Sequence, residues 1–285
     1  MAKNISKKLK IAFFGTSQFA VNVLTQLESE LLPDLIITNP DKPAGRKLKL
    51  TPPPVKIWAD ENNIETQQPE KLDNHFVKEL SKSTWDLFIV AAYGGIIPQS
   101  ILDLPKHKTI NIHPSLLPKL RGATPIHSAI LGDEQETGVS IILLDEKMDH
   151  GPIIAQEKFQ LYRNSISELP TKSELEKQLA ILGGRLLNKT IPQWSNKEIL
   201  AQEQNHNQAT YIKKLASTDG LINLSDRAEL NFKKIQAFNV WPKAHFFLNN
   251  KRIIIKKAHL KNDELIIDRV IPEGGKEIDY SNLLK

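Results

Sequence analysis

The sequence predicts an α/β fold in which a doubly wound, mostly parallel sheet of the Rossmann-like kind is followed by a small β-rich unit. Short apolar runs bounded by turn residues recur along the first 150 residues or so, and stretches with apolar residues at helical spacing lie between several of them. Strands that alternate with helices in this way indicate a parallel sheet covered on both faces. Beyond residue 210 the predicted strands are joined by short connections, which favours a small β-barrel.

Five apolar segments predict the strands of the sheet. Residues 10–15, 35–38 and 86–92 are continuous apolar runs, as expected for strands that are buried on both faces. Residues 110–113 and 139–144 supply two more strands. Helices are predicted after the first strand and at about residues 55–61, 125–131 and 171–188.

The change from one unit to the other falls in a polar stretch. Residues 202–208 have the composition of a linker. We therefore expect a first domain at 1–190, a linker at 191–209 and a second domain at 210–285. Within the second domain we expect a helix near residues 228–238, strands at 244–248 and 252–255, and a hairpin turn at Asn249 and Asn250, because Asn tolerates positive φ.

Charge is distributed unevenly along the chain. There are 38 Lys and Arg against 33 Asp and Glu, a net charge of +5. From residue 211 onward the chain has 14 basic and 9 acidic residues, so the remainder is neutral, with 24 of each sign. A neutral larger part joined to a basic smaller part suggests that the smaller part meets a polyanion, nucleic acid being the first candidate. A lysine-rich solvated surface is the alternative.

Composition excludes several classes of protein and site. The chain has no cysteine, so disulfides, thiolate nucleophiles and cysteine-ligated metal sites are excluded. No apolar run approaches the roughly 18 residues needed to span a bilayer, and we expect a soluble, cytoplasmic, monomeric protein that contacts no membrane. The first strand is followed by Gly15-Thr16-Ser17 and not by G-x-G-x-x-G, which argues against binding of a nicotinamide dinucleotide.

The end of the fourth predicted strand has the composition of a catalytic loop. Asn111 and His113 lie two residues apart, so in an extended segment both side chains point to one face. Pro114 biases the backbone of His113 towards an extended conformation. An amide donor and an imidazole could thus act on the same reacting group. A polar strand end followed by a stiff loop is the alternative.

An acidic candidate follows the next predicted strand. Asp149 lies in the sequence Met148-Asp149-His150-Gly151, and strands of a doubly wound sheet bring such loops to one edge. A carboxylate at this position could orient or charge His113. Taken alone, the same residues could form an ordinary turn, since Asp before Gly is common in turns.

These residues and the segment that follows them resemble the folate-dependent formyltransferases. The family signature S-L-L-P-x-x-R-G-x-x-P-x-x-x-A is met at every fixed position from Ser115 to Ala129. The similarity spans nearly the full length and is closest to the members that act on methionyl initiator tRNA. It also includes Phe14-Gly15-Thr16, Pro43-Ala44-Gly45-Arg46, Ala92-Tyr93-Gly94 and Trp241-Pro242.

The resemblance implies a reaction and its catalytic residues. The reaction is transfer of the formyl group of 10-formyltetrahydrofolate to the α-amine of methionyl initiator tRNA, which releases tetrahydrofolate and requires no metal. Asn111, His113 and Asp149 match the catalytic trio of the family. An amine that attacks a formyl carbon develops an oxyanion, for which Asn111 and a protonated His113 could be donors.

The resemblance also implies binding residues for both substrates. Leucines and prolines around Ser115 would form a stiff, partly apolar wall for the folate ring, and a basic loop at residues 41–56 would hold the acceptor end of the tRNA. The implied folate-binding residues are Ser115, Leu116, Leu117, Pro118, Tyr93 and Gly94. The implied tRNA-binding residues are Arg46, Lys47, Lys49, Arg121, Lys213 and Lys214.

The sequence leaves three alternative functions open and differs from the usual family pattern at one point. The same trio would serve a formyltransferase acting on glycinamide ribonucleotide or on an amino sugar, against which the basic loop argues. An inactive tRNA-binding protein would have no need of the intact trio, and simple hydrolysis of the formyl donor would release formate without an acceptor. The second domain is shorter after residue 255 than is usual in the family, so we expect a shortened, OB-like barrel.

Overall fold

A seven-stranded sheet organises most of the first half of the protein. In the computed structural model the described residues are 8–45, 48–132, 134–162 and 164–283. The sheet consists of β1 (Ile11–Gly15), β2 (Leu35–Ile37), β5 (Glu65–Gln67), β6 (Leu87–Ala91), β7 (Thr109–His113), β9 (Glu136–Leu143) and β10 (Ile153–Gln160). A separate hairpin of β3 (Lys42–Ala44) and β4 (Lys49–Thr51) lies between β2 and β5 in the chain.

The strand order places the end of β7 near the middle of a mostly parallel sheet. The order is β10-β9-β7-β6-β1-β2-β5. The pairs from β5 to β7 are parallel, whereas β9 runs antiparallel to β7. Strands β1, β6 and β7 are buried along their full length, as the continuous apolar sequences of β1 and β6 predict for those two strands. The predicted α/β fold class is confirmed.

The helices begin where the sequence offers favourable first turns. Proline is the first residue of α2 (Pro54–Glu61) and of α5 (Pro125–Leu131), where its missing N–H group costs nothing. Asp73 caps α3 (Asn74–Leu80) by accepting hydrogen bonds from the backbone N–H groups of His75 and Phe76. The helices are α1 (Gln18–Leu24), α2 (Pro54–Glu61), α3 (Asn74–Leu80), α4 (Gln99–Leu102), α5 (Pro125–Leu131), α6 (Lys172–Ser195), α7 (Ala228–Ala237) and α8 (Tyr280–Leu283). Among the described residues, no helix has both the length and the apolar character required to cross a membrane.

The described residues form two compact units, each built from three separate stretches of the chain. The first contains residues up to 118, 139–157 and 179–208, and the second contains 119–138, 158–178 and residues from 209 onward. The core of the first unit includes Phe14, Trp85 and Phe88, whose rings pack against one another across β1 and β6. The domain limits expected from the sequence, at 190 and 210, remain a prediction.

An antiparallel sheet forms much of the second unit. Its strands, in spatial order, are β12 (His245–Leu248), β13 (Lys251–Lys261), β14 (Glu264–Pro272) and β15 (Ile278–Asp279). Asn249 and Asn250 connect β12 to β13 with φ of 50° and 62°, which confirms the predicted turn. Asn262 and Asp263 make a second turn of the same kind. Two further strands, β8 (Arg121–Gly122) and β11 (Tyr211–Ile212), pair in parallel.

Two consecutive glycines allow helix α6 to pack closely in the first unit. The sequence suggests a local weakness at Gly183 and Gly184, yet the helix continues through both. A Cβ atom on Gly183 would lie 2.9 Å from Ile112 of β7. On Gly184 it would lie 2.6 Å from the Cβ of Gln26 and 2.7 Å from the carbonyl oxygen of Val23. The glycines therefore serve close approach of the helix to its neighbours.

Replacing Gly184 by alanine is expected to lower the free energy of unfolding by about 1–3 kcal/mol, because the added methyl group would overlap backbone. Intrinsic helix propensity alone favours alanine by about 1 kcal/mol and so predicts the opposite sign. Urea unfolding of both proteins measures the difference. Gln193→Ala, at an exposed position of the same helix, should leave the midpoint unchanged. A Gly184→Ala protein as stable as the original would contradict the close-packing argument.

Candidate active site at the end of strand β7

Strand β7 ends in two polar side chains that point to the same face. Asn111 and His113 are both in extended backbone and two residues apart. Their strand is bonded on both sides, since Asn111 pairs with Val90 of β6 and His113 pairs with Ser140 of β9. Asn111 is 9% exposed and His113 4%. The sheet thus fixes an amide and an imidazole in a largely dehydrated position.

Asp149 meets His113 from the turn between β9 and β10. Its Oδ1 atom lies 3.5 Å from Nδ1 of His113, and both side chains are largely buried. A carboxylate at Nδ1 orients the imidazole ring, so proton exchange with a reacting group falls to Nε2. The structure therefore brings together His113 and Asp149, which the sequence places 36 positions apart.

The turn that carries Asp149 has an unusual backbone. Asp149 itself has φ of 49°, in the left-handed region. A Cβ atom on Gly151 would overlap the carbonyl oxygen of Leu143, the last residue of β9, so this position requires glycine. The backbone N–H of Leu143 donates to the carbonyl of Pro152 at 2.9 Å. The turn is thus pressed closely against the end of β9.

The hydroxyl group of Ser140 bonds the backbone of the segment Ser115 to Pro118. This oxygen accepts hydrogen bonds from the backbone N–H of Leu117 at 3.0 Å and from Nε2 of Gln156 at 2.8 Å. It donates to the carbonyl of Ser115 at 2.6 Å. Gln156 also donates to the carbonyl of Leu117 at 2.8 Å. Side chains from β9 and β10 thus fix the loop that leaves β7.

Burial divides this loop into supporting and accessible residues. Ser115 and Leu117 are buried, whereas Leu116 and Pro118 are partly exposed. The peptide bond between Leu117 and Pro118 is cis. An apolar ligand surface against this loop would therefore meet Leu116 and Pro118, with Ser115 and Leu117 beneath them.

The loop after β6 contributes backbone to the same edge of the sheet. Tyr93 is buried, packs edge-on against Phe14 with ring centroids 5.6 Å apart, and has a hydroxyl pKa that burial raises. Its carbonyl accepts hydrogen bonds from Thr16 at 2.9 Å and Asn39 at 3.0 Å. Gly94 is exposed and has φ of 83°. The ring of Tyr93 thus belongs to the core, and Gly94 is the part that a ligand could reach.

The predicted tRNA-binding residues lie in different surroundings. Lys49 in β4 is exposed, and so are Lys213 and Lys214 just after β11. Arg121 is only 1% exposed. Arg46 and Lys47 lie outside the described residues.

Arg121 makes contacts inside the second unit. Its Nη1 atom donates to the hydroxyl of Tyr211 at 3.0 Å, and its guanidinium lies 5.6 Å from the centre of that ring. Gly122 next to it has φ of 125°, and a Cβ there would lie 2.8 Å from the carbonyl oxygen of Ile212. Arg121 is therefore a buried residue of the second unit and not an exposed cation.

Three residues that support the site were not predicted from the sequence. Ser140, Gln156 and Gln204 are common residue types in unremarkable sequence, and each bonds backbone 23 or more positions away. Ser140 faces β7 because of the β7–β9 register, which a single sequence does not reveal. The alternation along β10 gives no signal for Gln156 either, because it occupies one of the exposed positions of that strand.

Two family models match the chain, one over its larger N-terminal part and one over its C-terminal part. Formyl transferase matches residues 9–191, and Formyl transferase, C-terminal domain, matches residues 214–269. The folds of solved formyltransferases are also similar. The sugar 3N-formyl transferase WlaRD has a TM-score of 0.66 at 22% identity and covers 96% of this chain and 98% of its own. Methionyl-tRNA formyltransferase from Clostridium thermocellum has a TM-score of 0.62 at 18% identity, covering 95% and 99%.

Curated relatives are considerably closer in sequence. Methionyl-tRNA formyltransferase of Hydrogenobaculum sp. (strain Y04AAS1) is 41% identical over 258 residues, which cover 90% of this chain and 82% of the relative. That of Listeria monocytogenes serovar 1/2a is 39% identical over 250 residues, covering 87% and 78%. The chain therefore belongs to the formyl transferase family and, within it, to the methionyl-tRNA formyltransferases.

Proposed function

We propose that this protein transfers the formyl group of 10-formyltetrahydrofolate to the α-amino group of methionyl initiator tRNA, for use in translation initiation. The observation that carries the proposal is the buried pair of His113 and Asp149 on the face of β7 that also bears Asn111. These are the positions at which the family resemblance implies catalytic residues. The products are N-formylmethionyl-tRNA and tetrahydrofolate.

The trio suits the charge and proton changes of formyl transfer. A bond forms between the amine nitrogen and the formyl carbon, and the bond from that carbon to the folate nitrogen breaks. The Asn111 amide can donate a hydrogen bond to the oxyanion that develops on the formyl oxygen. The amine must also lose a proton and the departing folate nitrogen must gain one, and the imidazole of His113, oriented by Asp149, is placed to accept the first and supply the second.

The loop from Ser115 to Pro118 is suited to hold the folate ring. Leu116 and Pro118 are the partly exposed members, and Ser140 and Gln156 bond the backbone beneath them. Gly94, exposed after β6, offers backbone without a side chain at the same edge of the sheet. A flat ring would thus meet an apolar wall whose position is fixed before binding.

Exposed lysines supply candidate phosphate contacts for the tRNA. In the first unit, Lys49 lies in strand β4, and Arg46 and Lys47, which lie outside the described residues, precede it closely in the sequence. In the second unit, Lys213 and Lys214 follow β11. Arg121 is included for the segment that it holds. Lys233 is less suited, since it is buried and pairs with Glu229 at 3.4 Å.

The proposed activity is tested by offering several acceptors in parallel with 10-formyltetrahydrofolate. We expect product on methionyl initiator tRNA and little on methionyl elongator tRNA, glycinamide ribonucleotide or an amino-sugar nucleotide. His113→Ala should reduce kcat/KM about 10²- to 10⁴-fold, as expected for loss of a general acid–base. Formyl transfer to a small acceptor alone would reject the tRNA assignment, and formate release without acceptor would indicate a hydrolase.

Ser140→Ala is expected to raise the KM for the formyl donor about 5- to 10-fold, with a smaller effect on kcat. The substitution removes the partner of the Leu117 N–H group and so loosens the loop, and one such hydrogen bond is worth about 1 kcal/mol. Steady-state kinetics with the donor varied at saturating tRNA give both constants. Ser100→Ala, an exposed position of α4, serves as the matched control. A fall in kcat alone would place Ser140 in the chemical step instead.

Reversing the charge of both Lys213 and Lys214 to glutamate should weaken tRNA binding at least tenfold. Each phosphate contact contributes about 0.7–0.9 to the slope of log affinity against log salt, so the slope should fall by about 1.5. Filter binding at several salt concentrations measures both effects. The matched control, Lys71→Glu with Lys106→Glu, changes the net charge equally at exposed positions of the first unit. Equal loss in both double variants would indicate only a general charge effect.

A further inference from the structure

A buried glutamine holds the turn that carries Asp149. Gln204 lies in the polar stretch after α6, and its side chain is 4% exposed. Its Nε2 atom donates to the carbonyl of Asp149 at 2.9 Å and to the carbonyl of Gly151 at 2.7 Å. One amide group thus bonds the backbone on both sides of His150. All of these residues belong to the first unit.

The residues next to Gln204 fix the same turn at further points. Gln202 exchanges two backbone hydrogen bonds with Ile153, at 2.7 and 2.8 Å, which secures the start of β10. The ring of His206 stacks on that of His150 with centroids 4.1 Å apart and planes 4° apart. Nδ1 of His150 in turn lies 2.8 Å from Oδ2 of Asp145. The segment 202–206 therefore lies along the turn and contacts it at its middle and at its end.

The turn needs such support because its backbone is unfavourable when left alone. Asp149 is a non-glycine residue in the left-handed region, and a conformation of that kind persists only where its surroundings impose it. A neutral amide nitrogen carries two N–H donors, the number needed for the two carbonyls. Glutamate has no donor when ionised, and methionine has none at all.

We infer that Gln204 is a positioning residue for the Asp149 carboxylate, and this inference rests on the proposed function. The carboxylate reaches Nδ1 of His113 at 3.5 Å, and its place is set by the backbone that Gln204 bonds. A shift of about 1 Å in a catalytic group is enough to cost on the order of 10²-fold in rate. Both of these hydrogen bonds end on the turn that carries Asp149 and neither ends on the loop at Ser115 to Pro118, so we expect a larger effect on kcat than on substrate binding.

The first test replaces the amide with an apolar group of the same length. Gln204→Met is expected to lower kcat about 10- to 100-fold and to change KM for the donor and for tRNA by about twofold at most. Gln204→Glu should be at least as damaging, because a carboxylate would face two carbonyl oxygens. The matched control is Gln202→Met, whose side chain is exposed and whose backbone pairing with Ile153 is retained. It should leave both constants unchanged.

A double-mutant cycle with Asp149 separates positioning from general support of the fold. Once Asp149→Ala has removed the carboxylate, adding Gln204→Met should change kcat by about twofold or less. A further 10-fold loss in the Asp149→Ala background, or a rise in KM in place of the fall in kcat, would overturn the inference. Gln204→Asn, which keeps the amide but is too short to reach both carbonyls, serves the same cycle if the methionine variant does not fold.

Formyl transfer by the unsubstituted protein distinguishes a failure of the positioning inference from a failure of the proposed function. If it transfers formyl groups to methionyl initiator tRNA and the cycle is additive, only the positioning inference fails. If it transfers none, the proposed function fails, and the cycle is not interpreted.

Discussion

The contact between His113 and Asp149 is the interaction on which the rest of the site depends. Both side chains are largely buried, so neither position can adjust by moving into solvent. The histidine is fixed by a strand bonded on both sides, and the aspartate by a turn that folds back on the end of β9. A buried carboxylate is costly unless it has a partner, and here the partner is the imidazole to which the proposed reaction assigns proton transfer.

One strand register determines two features of the site at once. Ser140 pairs with His113 across β7 and β9, and the same Ser140 hydroxyl holds the backbone of Ser115 and Leu117. A slip of one residue between these strands would turn Ser140 to the opposite face and release the loop. It would also move the turn that bears Asp149. The imidazole, its carboxylate and the proposed folate wall are thus coupled through β9.

The sequence was sufficient for features that depend on local pattern. Continuous apolar runs predicted buried strands, and Asn249 with Asn250 predicted a turn because Asn tolerates positive φ, which both residues adopt. Features that depend on distant neighbours were not predictable. Gly183 and Gly184 weaken a helix in isolation and are required only by what the helix packs against. Ser140 and Gln204 acquire their roles from backbone 23 and 55 positions away.

Arg121 is a buried motif residue whose hydrogen bonds organise the segment before Lys213 and Lys214. The backbone N–H of Arg121 and that of Leu120 donate to Thr210, each at 2.8 Å, and Thr124 donates to the carbonyl of Lys213 at 3.0 Å. With the contact from the guanidinium to Tyr211, these bonds fix the backbone that leads into Lys213 and Lys214. Lysine side chains lose much rotamer entropy when they bind phosphate, so a fixed backbone limits the further ordering that binding requires. In the proposed tRNA contact, the buried cation of Arg121 would stabilise the backbone from which Lys213 and Lys214 act.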